Sequence, residues 1–139
     1  DCTDFVILNR HPERANKMVS YLKQKIDFDV NICMMNRPNL DRNISDSDLV
    51  VNTTPIGMYP HVGISPIPKN LLREDLLVYD IVYKPVKTKL IEYAELAGAK
   101  VIHGYEMLVS QAAGSFSLWT GSKAPMGVMR RTALQILGV

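Results

Sequence analysis

Leu76-Leu77-Val78-Tyr79-Asp80-Ile81-Val82-Tyr83 is the stretch that most narrows what this chain can fold into. It is apolar, β-branched and aromatic, too short for an ordinary helix, and stopped by Pro85, which together mark a buried strand. Three briefer runs repeat the signal: Phe5-Val6-Ile7-Leu8, Leu49-Val50-Val51 and Lys100-Val101-Ile102-His103. Unbroken apolar runs, in place of in-and-out alternation, fit parallel strands covered on both faces. Asp29 to Met34 alternates weakly through Val30, Ile32 and Met34, enough for a short strand.

Helical signals fall between these runs. Pro12 suits the first turn of a helix that carries Ala15, Met18, Val19 and Leu22 on one face. Thr88 is a cap for a second helix with Leu90, Ile91, Ala94 and Ala97 inward and Gly98 as its stop. A third, from about Tyr105 to Trp119, places Met107, Leu108, Ala112, Ser115, Phe116 and Trp119 on one side. A fourth, from about Pro125 to Leu137, carries Met126, Met129, Ala133 and Ile136. Arg37 to Asp48 is polar and shows no period. Strands alternating with helices predict an α/β fold with a mostly parallel sheet.

Composition excludes more than it assigns. The 139 residues suffice for one domain with a core, and 47% hydrophobic with 22% charged is an ordinary globular balance. A net charge of +2 gives no footing for nucleic acid or a membrane surface, and no apolar run approaches a membrane span. Cys2 and Cys33 lack metal-ligand spacing and read as free thiols of a reducing cytoplasm. His11, His61 and His103 are scattered, so neither metal nor nucleophilic chemistry is predicted.

In an open parallel sheet, ligands lie beyond the carboxyl ends of the strands. Three such ends carry candidates, and a helix adds one more. After the first strand come Asn9, Arg10 and His11, with Arg14 one helical turn on. In a dinucleotide-binding fold this position meets the adenosine ribose, where an acidic residue selects NAD and basic ones accept the 2′-phosphate of NADP. The two guanidinium groups either clamp a phosphate near a helix start or simply face water. Asn52-Thr53-Thr54-Pro55-Ile56-Gly57-Met58 follows the Leu49 strand, either as a ligand-lining loop or as a turn using these residues for their backbone preferences. Tyr83 ends the strong strand, free to donate to a ligand or to pack on its neighbours. Gln111 falls on the apolar stripe of its helix, where a buried amide needs a partner from backbone or ligand.

Four segments now stand in order: Asn9-Arg10-His11-Pro12-Glu13-Arg14; Asn52 to Met58; Tyr79-Asp80-Ile81-Val82-Tyr83-Lys84-Pro85-Val86-Lys87-Thr88; and Gly104-Tyr105-Glu106-Met107-Leu108-Val109-Ser110-Gln111-Ala112-Ala113. Together they resemble the C-terminal, NADP-binding domain of shikimate dehydrogenase over nearly the whole chain. The resemblance implies a Rossmann-like doubly wound, mostly parallel sheet in three layers. It implies a single cofactor domain over residues 1–139, whose helices from about 105 to 139 face a substrate domain. It also implies reversible NADPH-dependent reduction of 3-dehydroshikimate to shikimate. Asn9, Arg10 and Arg14 match the family's 2′-phosphate segment, with His11 where Thr is usual. Thr53 and Thr54 join them as cofactor positions, Ile81, Gly104 and Met107 match the nicotinamide surroundings, and Tyr83 and Gln111 match shikimate contacts.

Some of the family's pattern has no counterpart in these residues: the glycine-rich pyrophosphate loop with its strand, and the domain carrying the catalytic Lys and Asp. The expectation is a part that does not turn over alone. Without the central strand, the neighbours at Phe5 and Leu49 should expose edges that favour self-association or a complementing N-terminal segment. Two alternatives stay open: a quinate/shikimate dehydrogenase using NAD, and a non-catalytic Rossmann-like binding module.

Overall fold

A computed structural model describes residues 4–139, so Cys2 lies outside the described residues. The chain forms two compact units, Asp1–Asp46 and Ser47–Val139.

In the first unit, β1 (Val6–Asn9) leads through α1 (Pro12–Lys23) to β2 (Asn31–Met34), followed by α2 (Arg37–Ser45). The two strands run parallel, in register from Val6↔Asn31 to Asn9↔Met34. Pro12 opens α1, where its fixed φ suits the first turn and its missing N–H costs no bond. Ala15 and Val19, one turn apart, are buried, whereas Met18 is 50% exposed and so lies off the inner face. The expected buried strand at Phe5 is half-exposed, Phe5 itself by 51%, because two strands and two short helices cannot cover both of its faces. The segment without a legible period is α2. Asn36 caps it by accepting from the Asn39 amide at 3.0 Å, a proline sits in its first turn, and Leu40 and Ile44 are its only buried residues. Two apolar residues one turn apart hold a nine-residue helix down but are too few to show a repeat.

In the second unit, β3 (Leu49–Asn52) connects through a long loop and a 3₁₀ turn (Lys69–Leu71) to β4 (Leu77–Asp80). Then come α3 (Lys89–Leu96), β5 (Lys100–Ile102), α4 (Gly104–Thr120) and α5 (Met126–Leu137). The sheet order is β3-β4-β5, parallel throughout. Leu76, Val78, Leu90, Ile91 and Ala94, each at most 1% exposed, centre the core. Thr88 caps α3 by accepting the Ile91 amide, and Gly98 takes the positive φ that ends it.

Four readings need correction. The strong strand stops at Asp80, which places Tyr83 in the following loop. Leu49 and Val51 in β3 are 50% and 43% exposed, since β3 is the outer strand of its sheet. The phase of α4 also differs. Val109 and Ala113 are its buried line, so Gln111, two residues from each, points to the opposite side and is exposed, as are Ala112 and Trp119. Apolar residues all round this helix hid the inward direction. Likewise Met129, Ala133, Leu134 and Leu137 are the half-buried positions of α5, with Met126 and Ile136 outside.

β1 pairs only with β2, and β3 only with β4, so each has one edge without a strand partner among the described residues. A Leu90→Ala variant should lose about 2–5 kcal/mol in urea unfolding followed by circular dichroism. Ile136→Ala should lose under about 0.5 kcal/mol. Equal losses would return Ile136 to the inner face of α5.

Candidate functional site

The candidate positions fall into one group in each unit. In the first unit, β1 ends on Asn9, whose Oδ1 accepts the His11 backbone N–H at 2.9 Å, while the Arg14 N–H donates to the His11 carbonyl. Part of the Asn9 side chain thus builds the turn, leaving its amide NH₂ for a ligand. Arg10 and Arg14 are exposed and carry no ion pair among the described residues. Glu13, the only carboxylate of the first turn, lies with Oε1 3.4 Å from His11 Nδ1. Two guanidinium groups at the start of a helix begun by proline make a surface fit for an anion, and the helix dipole adds to it.

In the second unit, the parallel register sets Asn52 directly beside Asp80, so β3 and β4 both end in a polar residue on one face. Both are buried, with Thr88. Asn52 Nδ2 donates to Asp80 Oδ1 at 2.9 Å, the Val82 amide to the same oxygen at 3.1 Å, and the Thr88 hydroxyl to Asp80 Oδ2 at 2.6 Å. Asn52 Oδ1 accepts from the Thr54 amide and hydroxyl at 3.0 and 2.7 Å, and the Ile56 N–H reaches the Thr54 hydroxyl. Thr54 is therefore half-buried in a turn of its own making, while Thr53 stays exposed. This network escaped sequence reasoning, although the signal was a polar residue ending each of two apolar runs. No buried side-chain polar atom among the described residues lacks a partner.

The same network aims the loop after β4. Ile81 is half-buried, its N–H bonded to the Asn52 carbonyl at 3.2 Å, and Tyr83 is 41% exposed. Gly104 starts α4 directly beneath this loop. A Cβ there would lie 2.5 Å from the Val82 carbonyl oxygen and overlap that of Ile81, so only glycine permits the approach. Ile81, Tyr83 and Gly104 are thus brought together, and half-buried Met107 follows one turn into α4. Gln111, a further turn on, is exposed, so its amide depends on no protein partner. Glu106 pairs with Arg130, tying the first turn of α4 to α5. Burial, then the adjacent Glu106 carboxylate, hold the Tyr105 phenol above its ordinary value. Among the described residues no cluster of His, Cys, Asp and Glu could hold a metal ion.

Comparison with known proteins bears on this arrangement. The model of the Shikimate 5'-dehydrogenase C-terminal domain matches residues 104–134. A shikimate dehydrogenase (NADP(+)) of Methanopyrus kandleri is 41% identical over 135 residues, covering 96% of this chain and 47% of that protein. A crystal structure of shikimate dehydrogenase in complex with NADP+ matches with a TM-score of 0.87 at 30% identity, covering 98% of this chain and 47% of the other. Quinate dehydrogenase from Corynebacterium glutamicum in complex with NAD matches at 0.86 and 28% identity, over 96% and 46% respectively. The chain spans about half the length of these relatives, and their Rossmann-type parallel α/β architecture is the one seen here.

Asp80→Ala leaves at least two buried donors without an acceptor, at about 1–3 kcal/mol each, and should lower unfolding stability by about 3 kcal/mol or more. Thr88→Val, which removes one bond and a helix cap, should cost about 1–3 kcal/mol, with Thr88→Ser restoring most of it. Urea titrations of the three variants measure this, and an unchanged midpoint in Thr88→Val would remove the hydroxyl from the network.

Proposed function

The chain is homologous to the C-terminal domain of the shikimate dehydrogenases, and from that premise we propose that it is the NADP-binding part of such an enzyme. The whole enzyme would interconvert 3-dehydroshikimate and shikimate in the cytoplasm, the dinucleotide supplying or accepting the hydride. The observation that carries the cofactor choice is the pair Arg10 and Arg14. Both are exposed, neither has an ion-pair partner among the described residues, and the nearby Glu13 lies against His11. Two free guanidinium groups beside a helix start suit the 2′-phosphate that distinguishes NADP from NAD.

Each remaining position is given a role that its surroundings support. The Asn9 amide and His11 would flank the ribose phosphate, and Thr53 and Thr54 would line the cofactor from the loop after β3. Ile81, Gly104 and Met107 would face the nicotinamide, a half-buried and largely apolar setting suited to a ring that must stay dry. Tyr83 and Gln111, both exposed, would donate to shikimate oxygen atoms. The catalytic Lys and Asp would come from an N-terminal segment, so this chain alone would not turn over. The outward Trp119 and Ile136, 85% and 81% exposed, support α4 and α5 as the surface that meets that segment. The unpaired edges of β1 and β3 support strand addition, by such a segment or by a second copy. One finding favours a second reading: the likeness to an NAD-bound quinate dehydrogenase.

Calorimetric titration with NADP and NAD in parallel tests the choice. NADP should bind in preference to NAD, and an Arg10→Gln/Arg14→Gln variant should abolish that preference, each lost charged bond costing about tenfold or more in affinity. Preference for NAD would move the reading to the quinate-type enzyme, and binding of neither, without activity on adding an N-terminal half, to a non-catalytic module.

A further inference from the structure

The second unit contains a cleft that none of the positions assigned above lines. It has a volume of about 720 Å³ and is walled by Tyr59, Lys84, Val86, His103, Tyr105 and Leu137, among others. We propose that it is a second binding site, for a small planar carboxylate, independent of the dinucleotide reading.

Charge points to an anion. No Asp or Glu side chain lines the cleft, whereas Lys84, Lys87 and His103 do; Val139 also borders it and forms no ion pair with either lysine among the described residues. Lys87 is paired with Glu95 of α3, so it brings little net charge to a ligand. The Lys84 carbonyl accepts the Tyr59 N–H, but its ammonium has no hydrogen bond or ion pair among the described residues and is the cation left for a guest. Shape points to a flat body. The His103 ring, its Nδ1 3.2 Å from the Val86 carbonyl oxygen, stacks on Tyr105 with centroids 5.6 Å apart and planes 24° from parallel. Stacked on one another, the two rings keep one outer face each, on which a planar ring gains offset stacking. Val62, Pro85, Val86, Leu134 and Leu137 supply apolar surface around it. An apolar cleft of this volume with a few polar groups is what small-ligand sites are made of. The carboxylate would take the Lys84 ammonium, and the ring would lie along His103 and Tyr105.

Titrating the ¹⁵N-labelled chain with benzoate, and with benzamide as its uncharged counterpart, tests this by nuclear magnetic resonance. Benzoate should give saturable shifts centred on residues 84–87 and 103–105, with benzamide at least tenfold weaker. Lys84→Gln, a change at an exposed side chain, should bring benzoate down to the benzamide level, and Lys84→Glu should abolish it. The Arg10→Gln/Arg14→Gln variant should bind benzoate as the parent does. Equal binding of the two probes, an unaffected Lys84→Gln, or shifts that vanish with the two arginines would overturn the proposal.

Discussion

One buried carboxylate sets the layout of the larger unit. Asp80 is fully enclosed, and a charge so placed persists only when its oxygens are well supplied with donors. The donors come from three places: Asn52 at the end of β3, the Val82 backbone just past β4, and Thr88 at the start of α3. Satisfying one side chain therefore fixes where two strands stop and where a helix begins. The loop between Asp80 and Thr88 is held at both ends by the same carboxylate. Of its middle residues, Tyr83, Lys84 and Lys87 are exposed and Pro85 and Val86 half-buried. A short loop with both feet pinned has little conformational entropy left to lose if a ligand is placed against it.

What the sequence disclosed followed from how local each signal is. Pro12, Thr88 and Gly98 act within one turn, so the start of α1 and both ends of α3 were legible from those residues. The arginines after β1 were legible by type and position, but their freedom from ion pairs was not, since it depends on where Glu13 rests. The Asn52–Asp80 bond joins residues 28 apart in sequence and exists only through strand register, which no local pattern records. The inward placement of Gln111 failed for a different reason. With apolar residues all round α4, the hydrophobic period could not say which face turned inward, and Val109 with Ala113 decided it through tertiary packing. In α2, a cap and two buried side chains sufficed to hold a helix that composition alone did not advertise.

The two units share an architectural logic but differ in how far they are enclosed. In the larger one, β4 has a neighbour on each side and contributes the fully buried Val78 and Asp80. In the smaller one, each strand has a single neighbour, and its buried apolar residues are Ala15, Val19, Leu40 and Ile44. Less apolar surface withdrawn from water means a smaller margin over chain entropy. The proposed 2′-phosphate positions thus sit on the thinner scaffold, where they depend on charge and backbone geometry, while the proposed nicotinamide positions sit on the better packed one.

Gly104 carries a consequence for how this sequence can vary. The distance between the start of α4 and the Ile81-Val82 backbone is set by a hydrogen atom where every other amino acid would place carbon. A side chain could be trimmed or reoriented to admit a neighbour, but a carbonyl oxygen of a pinned loop cannot. The position is therefore closed to drift in a way that exposed Thr53, next to Asn52 at the end of β3, is not. In a library of variants it would read as a single permitted letter, and an engineer redrawing the ligand specificity of this surface would have to work around it.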